Sequence, residues 1–179
     1  MSKFAAFVKN AFTKHPVIAN SVIYGTLYLG AEMSQQVMTK KVLTDKPEPM
    51  DMPTLARYGF YGTIIQGPLL TFWYKWLDAK FVGTGLKLVA KKLMVDQFVS
   101  VPPLLLIFFV SMSIMERKPN VLEEFQSKFK QTFVNSCMFW MPVQAINFTF
   151  VPAAFRVVYI GTASFAWVNI LCYIKRQQY

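Results

Sequence analysis

The chain has 179 residues, 54% hydrophobic and 16% aromatic, and only 16% charged, against roughly 25% in an average soluble domain. Residues 131–155 and 157–174 hold no Asp, Glu, Lys or Arg, and a hydrocarbon core about 30 Å thick needs roughly 20 apolar residues in helix. That excludes an ordinary soluble enzyme fold and predicts one all-α, integral-membrane domain over residues 1–179. Its net charge of +10, from 19 Lys/Arg against nine Asp/Glu, comes without aromatic-interleaved basic patches on a soluble scaffold. Anionic lipid is therefore the expected partner, and direct nucleic-acid binding is not expected.

From the amino end, Phe4, Phe7, Val8, Ala11 and Phe12 form a helical apolar stripe among Lys3, Lys9 and Lys14. Such a segment is either an interfacial helix or an uncleaved mitochondrial-type address. The first span is expected at about 16–37. Gly25, Gly30 and Ala31 there allow close helix approach, while Glu32, Gln35 and Gln36 share one face. That polar face either snorkels to the interface or lines a cavity. Residues 40–53, with Pro47, Pro49 and Pro53, form a loop.

The second span is expected at about 57–77. Gly59, Gly62 and Gly67 thin one side, Pro68 kinks it, and Trp73, Tyr74, Lys75 and Trp76 mark headgroup depth. Residues 79–92, with Lys80, Lys87, Lys91 and Lys92 among apolar residues, predict a basic amphipathic segment. Together with Lys75, this 75–92 stretch would lie on anionic lipid. The third span, about 94–115, opens on Asp96-Gln97 and is broken or kinked at Pro102-Pro103. Residues 116–130 turn polar. Asn120 with Glu123 forms a helix-start box, and Glu124 with Lys128 an i,i+4 pair, on a helix expected to lie along the membrane.

A fourth span is expected at about 131–151. Its Gln144 and Asn147 lie three residues apart, on one helical face, and Pro142 and Pro152 bracket them as backbone breaks. The segment 157–174 is long enough to be a fifth. For four crossings the Lys/Arg counts on the two sides are ten and eight; for five they are nine and ten. The larger side excess favours an even number.

Chemistry-bearing clusters are sparse. Cys137 and Cys172 sit in apolar stretches as free thiols, and His15 is the single histidine, so an ordinary zinc site is not expected. Gly83-Thr84-Gly85 lacks the third glycine and preceding strand of a phosphate loop. Asp78 is a helix-end charge, and Asn147-Phe148-Thr149 would be a glycosylation acceptor lying at bilayer depth. Neither catalysis nor a cofactor is expected. The polar groups placed within spans are Glu32, Gln35, Gln66, Asp96, Gln97, Gln144, Asn147, Arg156 and Asn169. They line a pore or hydrogen-bond neighbouring helices, with Pro68, Pro102, Pro103, Pro142 and Pro152 as hinges. Arg156 needs a partner at depth, and Asp96 or Glu32 is the expected one.

Several stretches, in order over nearly the whole length, carry a resemblance. They are His15-Pro16, Gly67-Pro68 with Trp73-Tyr74 and Leu77-Asp78, and Asp96-Gln97 followed by Pro102. At the carboxyl end come Pro142, Gln144, Asn147-Phe148, Val151-Pro152, Arg156 and Trp167-Val168-Asn169. The chain thereby resembles the Mpv-seventeen family, whose other founder is the twenty-two-kilodalton peroxisomal membrane protein. HPVIANSVIYGTLYLGAEMSQQ and VSMSIMERK look most like the Mpv-seventeen-like branch. Two positions depart from the family pattern: Met141 stands where Trp usually precedes the signature proline, and Thr71 where many members have His. The resemblance implies an integral protein of the mitochondrial inner membrane, or alternatively the peroxisomal membrane, conventionally drawn with four spans. It implies links to small-solute permeation, control of reactive oxygen species and mitochondrial DNA maintenance. Two functions are expected on that basis: a channel-like protein for small solutes, or a non-conducting scaffold of an inner-membrane complex. Self-association is left open.

Overall fold

The computed structural model describes residues 14–42, 44, 46–82, 85–150 and 156–177, without the side chains of residues 78, 147–149, 156–158 and 161. The amino-terminal stripe at residues 4–12 and Pro152 therefore lie outside the described residues. What is described is helical and contains no strand.

Five long rods account for it. The first is α1 (Pro16–Val37), prolonged by a wide π turn at Met38–Val42. The second joins α2 (Met52–Phe60) to α3 (Gly67–Lys80) through a π turn at Tyr61–Gln66. The third joins α4 (Leu86–Val95) to α5 (Val101–Met115) through a π turn at Asp96–Ser100. The fourth is α6 (Glu123–Thr149) and the fifth is α7 (Arg156–Arg176). Each rod has at least the roughly 20 residues that a bilayer core demands. Leu86–Met115 is the one that is also apolar enough throughout to cross on composition alone, among the described residues. Four spans are thus not established by composition.

Two segments expected to be separate helices are parts of longer ones. Lys87, Lys91 and Lys92 lie in the opening turns of the third rod, because no helix-stopping residue separates them from the apolar run. Residues 123–130 likewise continue into α6 rather than lying apart along the membrane.

The prolines do not break these rods. A proline ring strikes the carbonyl four residues earlier and supplies no N–H. For Pro68 that carbonyl belongs to Ile64, and for Pro102 and Pro103 to Phe98 and Val99. All three lie in π turns, where the wider i→i+5 pattern makes room: Gly67 N–H donates to the Gly62 carbonyl and Val101 N–H to that of Asp96. Pro142 sits inside α6, which runs on to Thr149. Pro142 is not the break expected of it, since the neighbouring turns hold the helix across the missing donor.

The rods close into a ring. The first packs on the second and the fifth, the second meets the third through Tyr61–Gln66, the third packs on the fourth, and the fourth on the fifth. The first two come close enough for backbone contact. A Cβ on Gly62 would stand 2.5 Å from the Tyr24 carbonyl oxygen, and one on Gly67 2.5 Å from Ser21 Cα.

The distribution of polarity is inverted relative to a water-soluble protein. Glu32, Gln36, Gln97, Ser113, Thr132 and Ser136 are buried, while Ile18, Val22, Phe72, Val99, Ile114 and Met138 are exposed. An outer surface of that kind suits lipid, and the polar groups find their partners within the ring.

A candidate solute cavity and its charged vestibule

Ring closure leaves a central cavity of about 310 Å³ to which all five rods contribute. Tyr24 and Tyr28 come from α1, one helical turn apart and so on one face. Gln66 enters from the π turn before α3, and Asp96 and Gln97 from the π turn after α4. Ser136, Trp140 and Gln144 come from α6, with Ser164 and Trp167 from α7. Several of these are pinned from behind. Gln66 Oε1 accepts from the Tyr61 hydroxyl at 2.8 Å, and the Gln97 amide donates to Ser136 Oγ at 3.1 Å and Cys137 Sγ at 3.3 Å. Asp96 Oδ1 accepts from Trp73 Nε1 at 2.7 Å, and its Oδ2 from the Tyr74 hydroxyl at 3.5 Å.

Below the cavity the ring is filled by aromatic side chains. Tyr61 and Phe108 pack edge-to-face with centroids 5.2 Å apart, Tyr28 meets Tyr61 at 5.2 Å, and Tyr58 meets Phe108 at 6.2 Å. Each of these four rings is at most 3% exposed.

Tyr58 is also part of the wall of a second cavity, about 690 Å³, at the end of the bundle where α1 finishes, α2 and α6 begin, and α5 and α7 finish. Most of its residues are charged. Glu124 is the hub: its carboxylate takes Lys118 Nζ at 2.7 Å, Lys175 Nζ at 2.6 Å and Lys128 Nζ at 3.5 Å. Lys175 and Lys118 also reach Glu116, at 2.9 and 3.1 Å. Burial would raise the Glu124 pKa, but hydrogen bonds from Lys118 and Lys175 and the nearby ammonium charges hold it down at about 2. Burial likewise lowers Lys128, against the opposing pull of Glu124. For Lys118, burial is outweighed by hydrogen bonds to Glu124 and Glu116, and its pKa rises.

The turn that brings Glu116 and Lys118 into this cluster closes α5. Arg117 sits at φ 56°, with its N–H donating to Ile114 O at 3.0 Å and that of Lys118 to Ser113 O at 3.0 Å. This is the paired hydrogen-bond pattern of a Schellman helix end.

Of the polar residues singled out from sequence, Gln66, Asp96, Gln97 and Gln144 converge on the central cavity. Glu32 does not. It is fully buried beside the aromatic layer, ion-paired with Arg176 and accepting from Gln36 Nε2 at 2.9 Å. Gln35 and Asn169 tie α1 to α7 instead: Gln35 Nε2 donates to the Asn169 carbonyl at 3.2 Å, and Ser34 Oγ to Asn169 Oδ1. The side chains of Asn147 and Arg156 lie outside the described residues, and with them the expected pairing of Arg156 with Asp96 or Glu32.

Sequence reasoning missed the tyrosines and tryptophans of the cavity, and the Glu116–Glu124–Lys175 cluster. The Tyr24/Tyr28 and Tyr58/Tyr61 spacings were available as signals of one-sided helical faces. The cluster joins residues up to 59 positions apart, which no local pattern displays.

A ring of helices with amides and a carboxylate inward and aliphatic side chains outward defines an integral-membrane helix bundle. Residues 113–172, from the last turn of α5 into α7, match the model of the Mpv17 / PMP22 family. The chain is 31% identical to an Mpv17-like protein of Xenopus laevis over 93% of its own length and 80% of that protein's. It is 30% identical to protein sym1 of Aspergillus oryzae over 90% of this chain and 92% of that one. To PXMP2/4 family protein 4 of Dictyostelium discoideum it is 28% identical, over 86% and 83%. No solved structure matches. The chain belongs to the Mpv17 / PMP22 family, and it is accordingly a membrane protein of mitochondria or peroxisomes.

Proposed function

We propose that the protein is a channel-like conduit for small solutes, with all five rods crossing the bilayer and the aromatic layer as its constriction. The observation that carries this reading is the alignment of three zones inside one closed ring. These are a polar-lined central cavity, the layer of Tyr28, Tyr58, Tyr61 and Phe108, and a charged vestibule that opens at the bundle end. We place it in the mitochondrial inner membrane, with the peroxisomal membrane as the alternative, where solute passage would contribute to organelle homeostasis and to control of reactive oxygen species. Lys75, Lys80, Lys87, Lys91 and Lys92 cluster towards the opposite end, where anionic headgroups would hold them. No catalytic step is part of this reading.

Purified full-length protein in planar bilayers tests it. Wild type should conduct, and Tyr58→Ala and Phe108→Ala should raise the open current by removing rings from the constriction. Bilayers silent for all three proteins over a wide voltage range would overturn it. Single cysteines at positions 14 and 177 should label from opposite sides of sealed vesicles, because five alternating rods put them at opposite ends. Labelling from the same side would overturn the five crossings. The filled aromatic layer also suits a non-conducting scaffold of a membrane complex. Absence of flux together with stoichiometric co-purification of one partner would establish that reading instead.

A further inference from the structure

We infer that the central cavity binds a small organic cation, a protonated or quaternary aliphatic amine. The inference rests on the conduit reading for how such a molecule reaches the site, and it names the solute class that the site prefers.

Asp96 is the only residue of the cavity wall with a formal charge among the described residues, and no lysine, arginine or histidine accompanies it there. None of the ion pairs between two described side chains includes Asp96. What Asp96 has instead are two neutral donors, the Trp73 indole and the Tyr74 hydroxyl. Neither donor carries a positive charge, so among the described residues the carboxylate has hydrogen-bond partners and no counter-ion.

The rest of the wall joins amides, hydroxyls and aliphatic side chains such as Leu70, Leu104 and Ile160 to a set of aromatic rings. Tyr24, Tyr74, Trp140 and Trp167 surround the same space, with the two tryptophan rings 6.4 Å apart. Ring faces attract cations, and a box of them beside a carboxylate is the arrangement that selects alkylammonium groups. Gln144 adds a side-chain amide that makes no hydrogen bond to another described residue, leaving its carbonyl for an ammonium N–H or a hydroxyl. The volume, about 310 Å³, stands at the lower end of the roughly 300–1,000 Å³ typical of small-molecule sites. A carboxylate flanked by aromatic rings disfavours an anion. A neutral molecule of the same shape would leave the carboxylate unneutralised.

The test uses full-length protein in maltoside micelles, titrated with choline and with its uncharged isostere 3,3-dimethyl-1-butanol. Binding is followed by calorimetry and by the fluorescence of the cavity tryptophans. Choline should bind at least about tenfold more tightly than the isostere, the size of effect expected from a desolvated cation–π site. Asp96→Asn, which keeps shape and hydrogen-bonding capacity, should abolish that preference. Should that variant not fold, Trp140→Leu must lower choline affinity while leaving that of the isostere unchanged. Equal binding of the two probes, no binding of choline at millimolar concentration, or a preference that survives both substitutions would overturn the inference. Bilayer conductance is recorded on the same preparation. A conducting protein without choline preference sinks this inference alone, and a silent one that binds choline sinks the conduit alone.

Discussion

Replacing Glu124 by glutamine keeps the side chain's size and removes one negative charge from among three ammonium groups. The carboxylate pKa falls from 4.5 to about 2 in the folded chain, a difference worth on the order of 3 kcal/mol. The side chain is 13% exposed, so solvent screening removes little of that. For a chain of this size, Glu124→Gln should therefore lower the midpoint of thermal unfolding at pH 7 by about 6–12 °C. Because the folded pKa is depressed, the stabilisation is complete above the unfolded value and fades as pH falls through the folded one. About two-fifths of it should remain at pH 3. Unfolding in a nonionic detergent, followed by tryptophan fluorescence from pH 7 down to pH 2.5, reads both effects. A wild-type-to-variant gap that is absent at pH 7, or that persists undiminished at pH 2.5, would refute the assignment of Glu124 as the hub.

Gly62→Ala pushes a methyl group into the Tyr24 carbonyl and should destabilise by about 1–3 kcal/mol, while Gly85→Ala, with nothing within 4 Å, should change stability by less than about 1 kcal/mol. The same unfolding assay separates them. Gln36 spans the Asp51 backbone, donating to its carbonyl at 3.0 Å and accepting from its N–H at 2.7 Å. Gln36→Leu should cost about 2 kcal/mol and increase amide hydrogen exchange at the start of α2. Arg117→Gly should raise stability by about 1 kcal/mol, since the residue occupies a left-handed conformation that glycine adopts without strain; a lower unfolding midpoint would show that the Arg117 side chain matters more than its backbone.

Much of the bundle was legible because long uncharged runs between Pro16 and Arg176 have few alternatives to helix. The helix α1 begins and ends where apolar spacing placed it, but the π turn carries the first rod on to Val42, into the stretch expected as a loop. The boundaries at 92–94 and 130–131 were not legible. There a lysine-rich or glutamate-rich start flows into an apolar run with no stop residue, and composition changes while the backbone does not. Gln66, Asp96, Gln97 and Gln144 could be picked out because an amide or acid among apolar residues must find a partner inside. Glu32 could be flagged on the same grounds, but its destination at Arg176, 144 positions away, depends on how the ring closes. The tyrosines escaped notice because a phenol in an apolar stretch suits headgroup depth as well as an interior wall.

The two wide turns in the second and third rods fix the rotational phase of α3 and α5. Gln66 lies in one, and Asp96 and Gln97 in the other, so the polar wall of the cavity is mounted on the segments with an extra residue per turn. Removing one residue from either turn would swing the downstream helix by roughly 100° about its axis. Leu70 and Tyr74, or Leu104 and Phe108, would then rotate out towards lipid, and aliphatic neighbours would take their places. In this chain the spare residue in each turn acts as a spacer, deciding which side of a helix faces the central cavity and which faces outward.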